Sequence, residues 1–288
     1  MKKVLVLGAN GMLGHACIDV IRSLKKTEVF GTTRGKVSGY IDFDAHNDSI
    51  DDLLKFAKPD WIINCIGIIK PHIKESDPES VLNAIKINSE FPYSLASSTK
   101  SRIIQIATDC VYSGAKGLYV ENDLHDATDV YGKTKSLGEV EFENVNHLRV
   151  SIIGPEMGRS TSLLEWFRNQ LKNASINGFT DHLWNGVTTH QFGKLAYGMI
   201  SNEYDEFSKT HIVPADLISK ADLLRVFAVA YAREDVQINE TVSAAKIDRT
   251  LSTIYPEVNS KIWKLAGYES IPTVAEMVLE QATGFSNG

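Results

Sequence analysis

Val4-Leu5-Val6-Leu7-Gly8-Ala9-Asn10-Gly11-Met12-Leu13-Gly14 decides how this chain is read. Four consecutive apolar residues ended by a glycine read as a strand buried on both faces. From Gly11 to about Lys25 the pattern turns helical, with Met12, Cys17, Val20, Ile21 and Leu24 on one stripe. Gly8, Gly11 and Gly14 therefore stand as G-x-x-G-x-x-G between a strand and a helix. That is the setting in which a glycine fingerprint binds a dinucleotide. The glycines allow a tight turn and let backbone N–H groups and the helix N-terminus approach a pyrophosphate. Asn10, Met12 and Leu13 belong to the same loop and join the three glycines as cofactor candidates.

The alternation continues outward. Residues 28–33 and 40–43 read as strands, 50–57 as a helix and 61–64 as a strand. A helix is expected over 78–100, bent or broken at Pro92. A strand follows at 102–107, a helix at 131–143 and a strand at 148–153. Such alternation implies an α/β fold, a parallel sheet with helices on both faces. Beyond Pro155 it loosens, leaving helices at 161–173 and 219–232 and a strand at 211–213. The expected organisation is a dinucleotide domain over 1–153, rejoined by a segment of about 180–215. A smaller, partly helical substrate lobe over 154–288 interleaves with it.

Strand ends carry the remaining cofactor candidates. An NAD site usually places a carboxylate after the second strand, to bind the ribose 2′-hydroxyl. Here the residues are Thr32-Thr33-Arg34, and Arg34 suits a 2′-phosphate. NADP(H) is expected over NAD(H). Asp42 and Phe43 follow the third strand, where a carboxylate could accept from an adenine amino group. Cys65-Ile66-Gly67 follows the fourth, and Ile106 lies on the fifth.

The chemistry concentrates in Thr108-Asp109-Cys110-Val111-Tyr112-Ser113-Gly114 and Tyr131-Gly132-Lys133-Thr134-Lys135. Tyr131 and Lys135 stand four apart, on one helix face. A neighbouring ammonium favours the phenolate, so the phenol's pKa is expected below about 10. That suits a general acid or base. Thr108 offers a donor to a carbonyl oxygen as negative charge develops there.

Composition sets bounds. The 288 residues are 43% hydrophobic, enough for a substantial core. A net charge of −6 argues against a nucleic-acid partner. Three scattered cysteines and eight scattered histidines suggest no zinc site, hence no metal. No segment approaches the roughly 20 apolar residues of a membrane helix. A cytoplasmic protein is expected.

Together these residues resemble the extended short-chain dehydrogenases/reductases, and among them the dTDP-4-dehydrorhamnose reductase family. The specific matches are Thr108-Asp109-x-Val111-Tyr112-x-Gly114, Tyr119-x-Glu121-x-Asp123 and Tyr131-Gly132-Lys133-Thr134-Lys135-x-x-Gly138-Glu139. Glu75-Ser76-Asp77-Pro78-Glu79, Asn88 and Ile218-Ser219-Lys220-x-Asp222-Leu223-Leu224 add to them. The resemblance implies a Rossmann-type doubly wound sheet. It also implies hydride transfer from NADPH to C4 of a nucleotide-linked 4-keto-6-deoxyhexose, for surface polysaccharide or glycan synthesis.

Under that resemblance Tyr131 protonates the alkoxide, while Lys135 holds the nicotinamide ribose. Thr108 fixes the carbonyl oxygen and Asp109 orients the sugar. Cys110 stands where the family often has an aromatic, and Val150-Ser151-Ile152-Ile153 follows Arg149 where an aromatic commonly packs on the sugar. Smaller groups at both places imply a reshaped pocket that includes Cys110 and Ile152. Asn185, in Trp184-Asn185-Gly186-Val187-Thr188, and Arg249, a candidate for the diphosphate, fall where the family approaches substrate. The alternatives are an epimerase or dehydratase on the same scaffold and a non-catalytic, NADP-binding regulatory subunit. Dehydratases usually need a Glu where Cys110 stands. The assembly, a homodimer or otherwise, stays open.

Overall fold

The computed structural model describes residues 1–23, 27–158, 161–204, 206 and 209–284. Leu24 and Lys25, expected to end the first helix, lie outside them. The first half runs β1 (Lys2–Leu7), α1 (Met12–Arg22), β2 (Thr27–Thr33), β3 (Ile41–Asp42), α2 (Ile50–Ala57) and β4 (Trp61–Asn64). It continues through α3 (Pro78–Ile85), α4 (Phe91–Ser97), β5 (Arg102–Thr108), α5 (Val130–Leu137) and β6 (Val145–Val150). Then come β7 (Ile152–Ile153), α6 (Leu163–Arg168), β8 (Ser175–Phe179), β9 (Leu183–Trp184), β10 (Val187–Thr188) and α7 (Thr189–Ser201). The chain closes with β11 (Lys209–His211), β12 (Ile218–Ser219), α8 (Lys220–Ala230), β13 (Gln237–Thr241), α9 (Pro256–Leu265) and α10 (Val274–Gly284).

Seven strands form one sheet in the order β11-β6-β5-β4-β1-β2-β3, every neighbouring pair parallel. Order reverses between β1 and β4. Ligands of open α/β sheets gather at the carboxyl ends of strands beside such a reversal. The apolar run of β1 feeds two cores, because alternate side chains leave opposite faces. Val4 and Val6 pack with α1, α7 and the C-terminal helices, while Leu5 and Leu7 pack with α2 and α4.

Several expected elements differ in extent, and the strand expected over 211–213 is Lys209–His211. The helix expected over 78–100 contains a π-helical turn, Lys86–Glu90, between α3 and α4. Pro92, in the first turn of α4, has no N–H to give the Asn88 carbonyl. Gly138 lies against that carbonyl so closely that a Cβ there would sit 1.9 Å from it. The helix expected to reach residue 143 ends at Leu137, because Glu139 and Val140 turn inward and are buried. The strand expected over 148–153 starts earlier, at Val145, and breaks at Ser151. The helix expected over 161–173 is the shorter α6.

The sequence patterns did not show α7, which packs along α1 through Gly193 against Val20. Together α7 and β11 extend the main sheet domain. Three two-stranded pairings, β7 with β10, β8 with β13 and β9 with β12, lie outside the large sheet.

Candidate functional site

A cleft of about 920 Å³ runs across the strand ends from Arg34 to Lys220. Along it Gly8 adopts φ +77°, and a Cβ on Gly14 would meet the Gly8 carbonyl oxygen at 2.2 Å. Only glycine serves at either place. Gly11 caps α1 without a side-chain hydrogen bond, so first-turn amides are left uncapped toward the cleft. Gly8, Asn10, Gly11, Met12 and Leu13 all line it, and Gly14 lies behind them as a packing contact.

Thr33, Arg34, Phe43, Cys65, Ile66, Gly67 and Ile106 also line the cleft. Arg34 is exposed and has no hydrogen bond or ion pair among the described residues. Asp42 does not reach the cleft: its carboxylate accepts from the Gly35 amide at 2.8 Å and holds the turn after β2. The segment Asp44–Asn47 lines that end instead, unannounced by any motif. Asn88, at the π-helical turn, shapes the wall beyond Gly67. It accepts from the Ile68 amide at 2.8 Å and donates to the Ile68 carbonyl at 3.0 Å and to Thr134 at 3.2 Å.

Thr108, Asp109, Cys110, Tyr131 and Lys135 meet at the middle of the cleft. Asp129 caps α5 by accepting from Gly132, and Glu75 accepts from Val130, so two carboxylates fix the turn carrying Tyr131. The Lys135 ammonium donates to the Ile106 carbonyl at 3.1 Å. Burial holds its pKa down to about 8, opposed by Glu139. The Thr108 hydroxyl donates to Asp109 at 3.2 Å and accepts from the Cys110 amide at 3.1 Å.

One electrostatic expectation is corrected. The Tyr131 phenol does not sit below its usual value. Burial raises it, Cys110 and Asp109 raise it further, and a hydrogen bond with Thr108 opposes them. Lys135 is spent on a backbone carbonyl instead. Cys110 is likewise pushed up to about 12, chiefly by burial and then by Asp109. Both groups are held protonated at neutral pH.

Behind this wall lies a buried network that the motifs did not announce as such. Arg149 donates to the Thr108 carbonyl at 2.9 Å, to Glu139 at 2.7 Å and to His211 at 3.0 Å. The Tyr112 ring stacks on Tyr119 at 4.2 Å beside it. Tyr119 in turn accepts from the Gly114 and Lys116 amides. Much of the Thr108–Asp123 motif thus builds the floor of the site.

Ile152 lines the cleft together with Ser151, Trp184 and Lys220. Asn185 and Arg249 stand outside the cleft. Asn185 is buried and exchanges two hydrogen bonds with the Leu251 backbone. Arg249 donates to the Tyr112 carbonyl at 2.8 Å. Together they tie residues 249–251 to Asn185 and to the Tyr112 backbone. Pattern reading missed Lys220 as a cleft residue, although it sits in the Ile218-Ser219-Lys220 match. No helix among the described residues is long and apolar enough to cross a membrane.

Residues 1–157 match the RmlD substrate binding domain. The chain is 28% identical over 202 residues to methionine adenosyltransferase 2 subunit beta of Xenopus laevis, covering 66% of this chain and 58% of that protein. It is 32% identical over 147 residues to the spore coat polysaccharide biosynthesis protein SpsK of Bacillus subtilis, covering 48% and 47%. The chain thus spans little more than half the length of the first of these relatives and under half of the second. Among solved structures it is similar to dTDP-4-dehydrorhamnose reductase from Bacillus anthracis in complex with NADP. The TM-score is 0.76 at 16% identity, over 98% of this chain and 99% of that one.

Proposed function

The chain belongs to the RmlD substrate binding domain family, and from that premise we propose that it reduces the C4 keto group of a nucleotide-activated 6-deoxyhexose with NADPH. The observation that carries this reading is the meeting of Thr108, Tyr131 and Lys135 in the cleft that begins at the glycine loop. A dinucleotide fits the residues present. Gly8 and Gly14 leave room where any Cβ would clash, the uncapped start of α1 suits a pyrophosphate, and Arg34 is free for a 2′-phosphate.

When bound, the nicotinamide would supply hydride to the carbonyl carbon. The protein's own groups supply the rest. Tyr131, kept protonated by burial, gives its hydroxyl proton to the nascent alkoxide. Thr108, turning its one hydroxyl proton from Asp109 to the same oxygen, stabilises the charge developing there. Lys135 stays cationic below about pH 8 and can lend positive charge to the cofactor side of the cleft. Asp109 orients the sugar. The relation to SpsK favours a role in polysaccharide synthesis.

The test is NADPH consumption across a panel of nucleotide-linked 4-keto-sugars, with the product's C4 configuration determined. Arg34→Ala should weaken NADPH binding and leave NADH binding unchanged; equal effects on both would remove the NADP assignment. Likeness to methionine adenosyltransferase 2 subunit beta favours a second reading, a non-catalytic NADP-binding subunit. NADPH binding without oxidation by any sugar would select it.

A further inference from the structure

Lys220 is a cleft cation for which the reductase reading has no task. It is the first residue of α8, directly after the Ser219 cap. The helix macrodipole presents its positive end there and disfavours a lysine. The ammonium lies over the Trp184 ring, 5.2 Å from its centroid, and lines the substrate end of the cleft. Burial holds its pKa down to about 8, opposed by Asp109 and Cys110. A surface lysine would escape these costs by extending into water. This one stays in the cleft.

Asp109 reaches the same space from the end of β5. Burial raises its carboxyl pKa, and Arg249, the Thr108 hydroxyl and Lys220 only partly offset that. The two groups interact electrostatically, yet they make no direct ion pair or hydrogen bond among the described residues. A donor and an acceptor that line one cleft without bonding to each other suit a hydroxyl group, which accepts and donates at once. Asp109 also accepts from the Thr108 hydroxyl. A hydroxyl held by Asp109 would therefore lie beside the position where Thr108 would hold the carbonyl oxygen.

We propose that Lys220 and Asp109 form a clamp for one free hydroxyl of the hexose, on the carbon next to the carbonyl. The ammonium donates to the hydroxyl oxygen and a carboxyl oxygen of Asp109 accepts its hydrogen. For a 4-keto-hexopyranose that hydroxyl is on C3, because C5 carries the ring oxygen. The clamp rests on the keto-sugar reading and narrows its substrate class to sugars unsubstituted at C3. Lys220 is a specificity-determining residue in this arrangement, and Tyr131 remains the proton donor.

Calorimetric titration of the full chain, saturated with NADP⁺, tests the clamp with dTDP-glucose, UDP-glucose and their 3-deoxy counterparts. Wild type should bind the better of the two glucose forms about 10- to 100-fold more tightly than its 3-deoxy form, the range of a hydrogen bond to a charged group. Lys220→Met keeps an apolar stem on Trp184 and should bind both forms alike, with NADP⁺ affinity unchanged. Lys220→Arg should retain most of the preference. A preference that survives in Lys220→Met overturns the clamp, as does a wild type that binds both forms equally or binds neither. Should Lys220→Met lose NADP⁺ binding, Lys220→Arg decides: restored cofactor binding without the preference also overturns it. Failure of the reductase reading looks different, namely a clear 3-hydroxyl preference in binding with no NADPH oxidised by any 4-keto-sugar.

Discussion

Arg149 donates to the carbonyl oxygen of Thr108 at 2.9 Å, so a fully buried guanidinium on β6 fixes the end of β5 where the candidate chemistry begins. The same group neutralises Glu139, whose carboxyl pKa stays low because Arg149 outweighs the effect of burial. Arg149→Met would strand that carboxylate in the interior. A loss of about 3–5 kcal/mol in urea unfolding is expected. Adding Glu139→Gln should recover part of it. A single variant with the wild-type midpoint would contradict this account of the pair.

Tyr131→Phe removes one hydroxyl from a half-buried ring. We expect kcat to fall by about 10²- to 10⁴-fold, the range of a general acid, with NADPH affinity unchanged. Lys135→Ala should behave differently, because its ammonium is bonded to the Ile106 backbone. It should weaken NADPH binding as well as turnover. Fluorescence titration of NADPH beside steady-state kinetics separates the two patterns.

Asn88→Ala tests the π-helical turn. It deletes both bonds to Ile68 and the bond to Thr134. Each buried backbone group left unpaired costs on the order of 1–3 kcal/mol. The wall carrying Gly67 and Ile68 should loosen, raising KM for NADPH more than it lowers kcat. A variant with wild-type stability and KM would show that the turn is incidental to the site.

Acid should weaken the fold through its buried histidines. Burial holds His147 down to about 4 and also lowers His211, which lies beside Arg149. Between about pH 6.5, the unfolded value, and the folded values, the unfolded chain binds protons that the native state refuses. Stability therefore rises with pH through this window and is lost as pH falls. Each histidine contributes a slope of about 1.4 kcal/mol per pH unit. Urea midpoints at pH 7 and pH 5 should differ accordingly, and the difference should shrink in His147→Gln.

Cleft residues near the glycine loop were easier to read than those at the other end, for a local reason. Gly8 to Gly14 form one strand–turn–helix unit, so their proximity follows from spacing alone. Tyr131 and Lys135 likewise share one helical turn. Asp42, Asn185 and Arg249 carried the right chemistry at plausible positions, yet each is committed to a distant backbone group. Nothing in their neighbouring residues foretells Gly35, Leu251 or Tyr112 as partners. Lys220 shows the converse: it comes into the cleft from a helix far along the chain, beyond the alternating strands and helices.

Local order in the sequence was enough to specify the parallel sheet, the glycine turn and the order of the strand ends, because each depends on side-chain period or on the absence of a Cβ. Tertiary structure alone decided which charges face the cleft, where α5 stops and how strongly Tyr131 holds its proton. Those properties arise from burial and from contacts between distant segments, such as Arg149 with the Thr108 carbonyl and Lys220 over Trp184. A lysine four residues from a tyrosine suggests a lowered phenol pKa. Packing raises it instead, because desolvation acts on the phenol while the Ile106 carbonyl holds the ammonium.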